Sequence, residues 1–395
     1  MYSFGIEEEY FVFDARTRRA VKTADAKFIA RAKQRLGKRV ATEMLQSQIE
    51  FVSPPCDTFE EVRAQLAGGR SMLAEEAAAR GLGIAAMGTF PLADWPDQTV
   101  TKNPRYDAIL DDLQMVGLRN LLCGMHVHVE VPDPDTRVEL MMRLAPYLPL
   151  LLALSTSSPF WQGHTTGLRG YRLAAYDELP RTGLPELFRA KADYDDFVAA
   201  LVGAKIIPDA SHIWWAIRPS LRYPTIELRI ADSCTNIEDA LAIAALFRCL
   251  VRALDRDRAH NAGFDRVGRA ITVENKWHAQ RYGVSATFVD PFRRQPMHAT
   301  AWLDEVLDFI REDAAAFGCE AEIGRLLRLV ADGTSADHQI EVYDRAREAG
   351  RSRLSALKDV VDWAAAQTRA VQTADAGRYG NSSKDAGAIS MAPAK

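Results

Sequence analysis

The chain has 395 residues, 48% of them hydrophobic, enough to bury a large core as one big domain or two ordinary ones. With 49 basic against 53 acidic side chains, a net charge of -4 and a pI near 6.1, it carries no electrostatic footprint for a polyanion, which argues against nucleic acid as a partner. The five cysteines (Cys56, Cys123, Cys234, Cys249, Cys319) form no CxxC pair and most have apolar neighbours, so buried free thiols are expected rather than a disulfide frame.

The chain opens MYSFGIEEEY, with neither a basic n-region nor an apolar h-region, so no secretory signal and a cytoplasmic location are expected. The first predicted strand, 3–13, carries three consecutive carboxylates inside an apolar and aromatic run. Side chains alternate along a strand, so Glu7 and Glu9 share one face while Ile6, Glu8 and Tyr10 share the other. Two like charges on one half-buried face repel each other and resist desolvation, so something cationic is expected between them. A second strand, 46–52 in TEMLQSQIEFVSP, holds Glu50, with Glu43 seven residues upstream. A capping box from Thr58 to Glu61 then opens a helix that places Phe59, Val62, Leu66 and Leu73 on one face and stops at Gly81 or Gly83. A short buried strand follows at 84–89.

The strand CGMHVHVEV, 123–131, points Met125, Val127, Val129 and Val131 one way and His126, His128 and Glu130 the other. Residues 137–154 read as a helix whose most apolar part, Leu144 to Leu154, holds two prolines and is too short to span a membrane. Strands at 213–218 and 224–231 come next; in the latter Ile226, Leu228 and Ile230 form an apolar face and Thr225, Glu227 and Arg229 a polar one. A second capping box, Thr235 to Glu238, opens a strongly apolar helix through residue 254 that offers one route to a homodimer. Helices around 302–317 and 336–367 complete the pattern, and the Gly-, Ala- and Ser-rich end, 371–395, reads as a disordered tail. Irregularly spaced strands with helices between them indicate an α+β fold, a mixed or antiparallel sheet with helices on one side.

If these strands share a sheet, Glu7, Glu9, Glu50, His126, His128, Glu227 and Arg229 line one floor. An oxygen-rich floor calls for hard cations, magnesium or manganese before zinc, and magnesium usually bridges carboxylates to phosphates. Arg172 in SSPFWQGHTTGLRGYR, with Arg218 and Arg229 in IRPSLRYPTIELR, adds rigid forks suited to phosphate or carboxylate, whereas Arg169 and Arg222 read as surface residues. There is no G-x-x-x-x-G-K-[ST] loop, so a nucleotide would have to be held by metals and arginines.

The ordered set GIEEEY, TEMLQSQIEFVSP, CGMHVHVEV, SSPFWQGHTTGLRGYR, IRPSLRYPTIELRIAD and ENKWHAQRYG resembles the glutamate–cysteine ligase superfamily, most closely its type 2 branch of carboxylate–amine ligases. The resemblance implies a single glutamine synthetase-like catalytic domain over 1–370, a curved and mostly antiparallel sheet with helices on its convex side. It implies ATP, two or three magnesium ions, and small-molecule substrates: an amino-acid carboxylate and an amine such as cysteine. Carried over by motif, Glu7, Glu9, Glu50, Glu227 and His126 are expected at metals, Glu43 at a metal or on the amine side, and Arg229 and His126 at the transferred phosphoryl group. Arg218 and His128 are expected to bind substrate or ATP, and Arg172 the acid substrate. IAAMGTFPLADW departs from the pattern, supplying no acid before Asp94 where a third metal would need one.

Two rivals compete with this reading. A metal-dependent amidohydrolase would use His126 and His128, but needs further histidines; His164, His212, His278 and His298 are available, and only His212 begins a predicted strand. A calcium store would explain the acidic floor, but no EF-hand-like loop is present and the arginines would have no task.

Overall fold

The alternating run that opens the chain becomes the central strand of the protein. The computed structural model describes residues 2–370, and the tail expected at 371–395 lies outside the described residues. Strand β1 (Phe4–Asp14) joins β2 (Val40–Thr42), β3 (Gln48–Val52), β4 (Leu82–Ala85), β5 (Met125–Glu130), β8 (Ile217–Pro219) and β9 (Thr225–Leu228) in one seven-stranded sheet. Its order is β2-β3-β1-β5-β9-β8, with β4 paired to the far end of β1, and every pairing is antiparallel. Strands β6 (Phe160–Trp161) and β7 (His164–Thr165) form one small hairpin, β10 (Thr287–Val289) and β11 (Pro296–His298) another.

One face of the sheet is the core wall. Ile6, Tyr10 and Val12 of β1, Met125, Val127 and Val129 of β5, and Ile226 and Leu228 of β9 are buried in one cluster with the helices Phe59–Ala78 and Ile237–Arg256. The other face of β1 is divided: Glu7 and Glu9 open to a cleft, while Phe11 and Phe13 are covered in a second cluster with Leu357, Val360 and Val361 of the helix Arg353–Arg369. All five cysteines are buried and unbridged.

Several local expectations changed. The capping box from Thr58 to Glu61 forms, but its helix ends at Ala78, and Gly81 supplies a left-handed turn at φ 67°. The box expected from Thr235 to Glu238 does not: Asn236, extended and one residue nearer, accepts from the Glu238 amide, and the Thr235 hydroxyl pairs with Ser335 Oγ at 2.6 Å. The helix that follows is buried without interruption from Asp239 to Val251 inside the chain's own core, which closes that route to a homodimer. Pro146 and Pro149 do not break the helical stretch Pro134–Ser155, because each falls in the first turn of a segment, where its missing N–H is not needed. Among the described residues this 22-residue stretch is the one long and apolar enough to cross a membrane, yet 94% of its most apolar window is buried in the fold, so it is a core helix. Strand β2 has no counterpart among the predicted strands, since three residues after a turn carry no alternation.

Gly69 sets how closely the helix Phe59–Ala78 lies on the sheet: a Cβ there would stand 2.7 Å from the Phe51 ring of β3. Gly69→Val is therefore expected to cost about 1–3 kcal/mol by overpacking, read as a lower midpoint in denaturant melts.

Candidate active site

Register, not proximity in sequence, assembles the site. Glu9 lies opposite Glu50, Glu7 opposite His126, His128 opposite Glu227, and Glu227 opposite Arg218. Because side chains alternate, these partners all project from the same face, as a diagonal polar band across five strands. Glu43, in the loop after β2, meets the band from its edge. All ten residues singled out from sequence line one cleft of about 590 Å³: Glu7, Glu9, Glu43, Glu50, His126, His128, Arg172, Arg218, Glu227 and Arg229.

One end of the cleft is acidic. The Gly124 amide donates to Glu9 Oε2 at 2.6 Å. Burial, and then the charges of Glu9 and Glu7, push the Glu43 carboxyl up to about 8. Burial together with Glu43, Glu7 and Glu9 pushes Glu50 well above the usual carboxylate range. Glu7 behaves in the opposite way. Burial alone would raise its carboxyl, but His126 Nδ1 at 3.1 Å and His128 Nε2 at 3.4 Å hold it well below the ordinary value. Both imidazoles flank Glu7, and neither sits between Glu7 and Glu9, where a cation was expected. Burial and the Arg229 charge lower His126, which favours its neutral form.

The other end is basic. Glu227 accepts from Arg218 Nε at 2.7 Å and Nη2 at 3.1 Å, and from Arg229 Nη1. Burial opposes ionisation of Glu227, but Arg229 and Arg218 outweigh it and hold its carboxyl far below the usual range. Arg218 also donates to the Ser211 and Ile213 carbonyls. Arg172 spends Nη1 on the carbonyls of Arg229, Ile230 and Ala231 at 3.1–3.4 Å, while its buried Nε has no partner.

Sequence reasoning missed Tyr176. Its hydroxyl accepts from Arg229 Nη2 at 3.4 Å, and the Arg172 guanidinium lies 5.6 Å from its ring centroid. The signal was present: Tyr176 follows Arg172 by four residues, on one face of the helical turn Tyr171–Tyr176. Tyr106, on the helix Pro104–Leu118 that lines the cleft, was also missed; its hydroxyl donates to the Thr42 carbonyl at 3.1 Å.

Three groups of side chains bring one ligand atom each within 4.8 Å of one another: Glu7–His128–Glu227, Glu7–Glu50–His126 and Glu9–Glu43–Glu50. Glu7 and Glu50 each belong to two of them, so neighbouring positions share a carboxylate. The donor set is dominated by oxygen, the chemistry hard divalent cations take, and mutual repulsion among Glu9, Glu43 and Glu50 is what such a cation would relieve. Among the described residues no histidine besides His126 and His128 lines the cleft. His212 occupies a 3₁₀ turn rather than the start of a strand, and His164 and His298 sit in the two small hairpins.

Two solved structures share this architecture. A bifunctional glutathione synthetase from Pasteurella multocida matches with a TM-score of 0.70 at 14% identity, over 93% of this chain and 52% of that one. A glutamate–cysteine ligase from Francisella tularensis, in complex with AMP, matches with a TM-score of 0.65 at 11% identity, over 94% of this chain and 90% of that one. The fold is that of the glutamine synthetase-like ligases. The family model of Glutamate-cysteine ligase family 2 matches residues 3–359. Proteins named "Putative glutamate–cysteine ligase 2" are 47% identical in Bradyrhizobium sp. (strain ORS 278), over 93% of this chain and 88% of the relative, and 44% identical in Rhodospirillum rubrum, over 96% and 98%. The chain belongs to glutamate–cysteine ligase family 2.

Proposed function

We propose that this protein is an ATP-dependent carboxylate–amine ligase that forms an amide of the γ-glutamylcysteine type through an acyl phosphate. The reading rests on one observation above all: a carboxylate-rich end and an arginine-rich end meet in a single cleft on the polar face of the sheet. Family membership supports the ligase class.

A carboxylate is a poor electrophile toward amines, and phosphoryl transfer from ATP converts it into an acyl phosphate with a good leaving group. Glu7, Glu9, Glu50, Glu227 and His126 are the residues that would hold magnesium, or manganese, which when bound neutralises phosphate charge. Arg229, fixed by Glu227 and Tyr176, would stabilise the transferring phosphoryl group together with His126. Arg218 and His128 flank Glu227 on the ATP side. Arg172, which lines the cleft beside Tyr176 and Arg229, is the guanidinium for the acid substrate's carboxylate. Glu43, at the acidic end of the cleft, is the carboxylate that takes the proton of the attacking amine.

The test is ADP release by the purified protein with magnesium, screened over pairs of amino acids and amines, glutamate with cysteine first. Release that requires both an acid and an amine is expected. Amide cleavage without nucleotide consumption would replace the ligase with the hydrolase reading.

A further inference from the structure

The helix Arg266–Tyr282 buries Gly268, Thr272, Asn275 and Ala279 against the body of the protein and leaves its opposite face bare. That face carries Val267, Val273 and Trp277, which are 45%, 48% and 46% exposed. Arg266, Ala270 and Glu274 are exposed beside them. At about 100° per residue these six side chains fall within an arc of about 120°, a continuous stripe rather than scattered surface residues. Contiguous exposed apolar surface of this kind marks a contact site. None of the six lines the cleft, so the catalytic reading does not use them.

The stripe is its own complement. In RVGRAITVE, Arg266 to Glu274, the pattern runs basic, valine, a central alanine, valine, acidic. An antiparallel copy placed about a two-fold axis at Ala270 sets Arg266 opposite Glu274 and Val267 opposite Val273, each twice. The two small Ala270 side chains meet at the axis, where they let the helices approach closely. Arg266 makes no ion pair or side-chain hydrogen bond among the described residues, and the ion-pair contact of Glu274 is His278 Nε2 at 3.4 Å on its own helix. Both charges are therefore available across the axis, and a two-fold contact requires this kind of self-complementary patch.

We propose that this helix face is an isologous homodimer interface of the chain, a helix pair centred on Ala270. The partner is a second copy rather than another protein, because both the charge pattern and the valines match under the two-fold operation. A single helix pair buries less than the standard interface of about 800 Å² per partner, so association in the micromolar range is expected.

Sedimentation velocity of the full chain over a concentration series tests this. The wild type is expected to move from monomer to dimer as concentration rises. Arg266→Glu, which sets acid against acid on both sides of the axis, is expected to weaken the dimer about tenfold or more. Arg266→Glu with Glu274→Arg restores opposite charges and is expected to return the constant to within a few-fold of wild type. Trp277→Ser, which removes an aromatic side chain that is 46% exposed, is expected to weaken it as well. A monomer at every concentration would overturn the proposal. So would a dimer indifferent to Arg266→Glu, or a charge swap no tighter than the single variant.

Discussion

Glu50→Gln is expected to lower ADP release by about a hundredfold or more while making the protein, measured in a chelator, more stable than wild type. The rate loss follows from position. Glu50 belongs to two of the three ligand groups, and an uncharged amide weakens both, a loss of about 3 kcal/mol or more of transition-state stabilisation, as for a lost oxyanion donor. The stability gain follows from the sign of the electrostatics. Glu43 and Glu50 are raised carboxyls, both by burial first, then Glu43 by Glu9 and Glu7, and Glu50 by Glu43, Glu7 and Glu9. A raised carboxyl keeps its proton in the fold at pH values where the unfolded chain has released it. For Glu43 that window runs from the ordinary 4.5 to about 8, and across it the folded state binds more protons, so stability falls as pH rises. Glu7 has the opposite sign: its lowered carboxyl contributes stability above its unfolded value, lost only as pH falls below about 4.5, outside that window. The lowered His126, His212 and His260 work the other way below about 6.5 and are common to both proteins, so the readout is the difference: from about pH 5 to about pH 8 wild type should lose more stability in chelator than Glu50→Gln, while added magnesium should raise wild type most at the alkaline end. Turnover near wild type in Glu50→Gln, or a difference between the two melts that is indifferent to pH, would dismantle the shared-cation floor.

What could be read in advance was what has a short period. Alternation alone separated His126 and His128 from Val127 and Val129, and Glu227 and Arg229 from Leu228, and the buried and cleft-lining faces divide along those lines. The pairing of Glu9 with Glu50 and of His128 with Glu227 is a matter of register between segments far apart in sequence, and no local spacing encodes it. The family resemblance, not the period, brought Glu43 into the set, because it stands in a loop beyond a three-residue strand. Capping chemistry was legible in kind but not to the residue: Thr58 caps as expected, whereas Asn236 displaced Thr235.

Arg70 left a local signal of a different sort. It lies on the buried stripe of Val62, Leu66 and Leu73, where a guanidinium is out of place unless an acid awaits it. The acid is Glu8, the middle carboxylate of the opening triplet, 62 residues away and on the core side of β1. Both side chains are all but inaccessible, at 1% and 0%. Arg70 Nε and Nη2 hold Glu8 at 3.0 and 2.5 Å, Nη1 reaches the Thr235 carbonyl at 2.8 Å, Nη2 reaches that of Cys234 at 2.8 Å, and the Tyr10 hydroxyl also donates to Glu8. One guanidinium thus ties β1 to the segment that leaves β9, directly behind the floor that carries Glu7, Glu9 and Glu227. Arg70→Met keeps the volume but strands a carboxylate and two carbonyls in the core, and is expected to cost about 3–5 kcal/mol in urea unfolding. Adding Glu8→Gln to Arg70→Met removes the unpaired charge and should recover a large part of that loss, since the penalty belongs to the orphaned ion more than to the missing bridge. Arg70→Lys should rescue poorly, because one ammonium cannot serve Glu8 and both carbonyls in the geometry of the fork. A loss below about 1 kcal/mol for Arg70→Met, or no recovery in the double variant, would mean that the pair does not brace the catalytic strand.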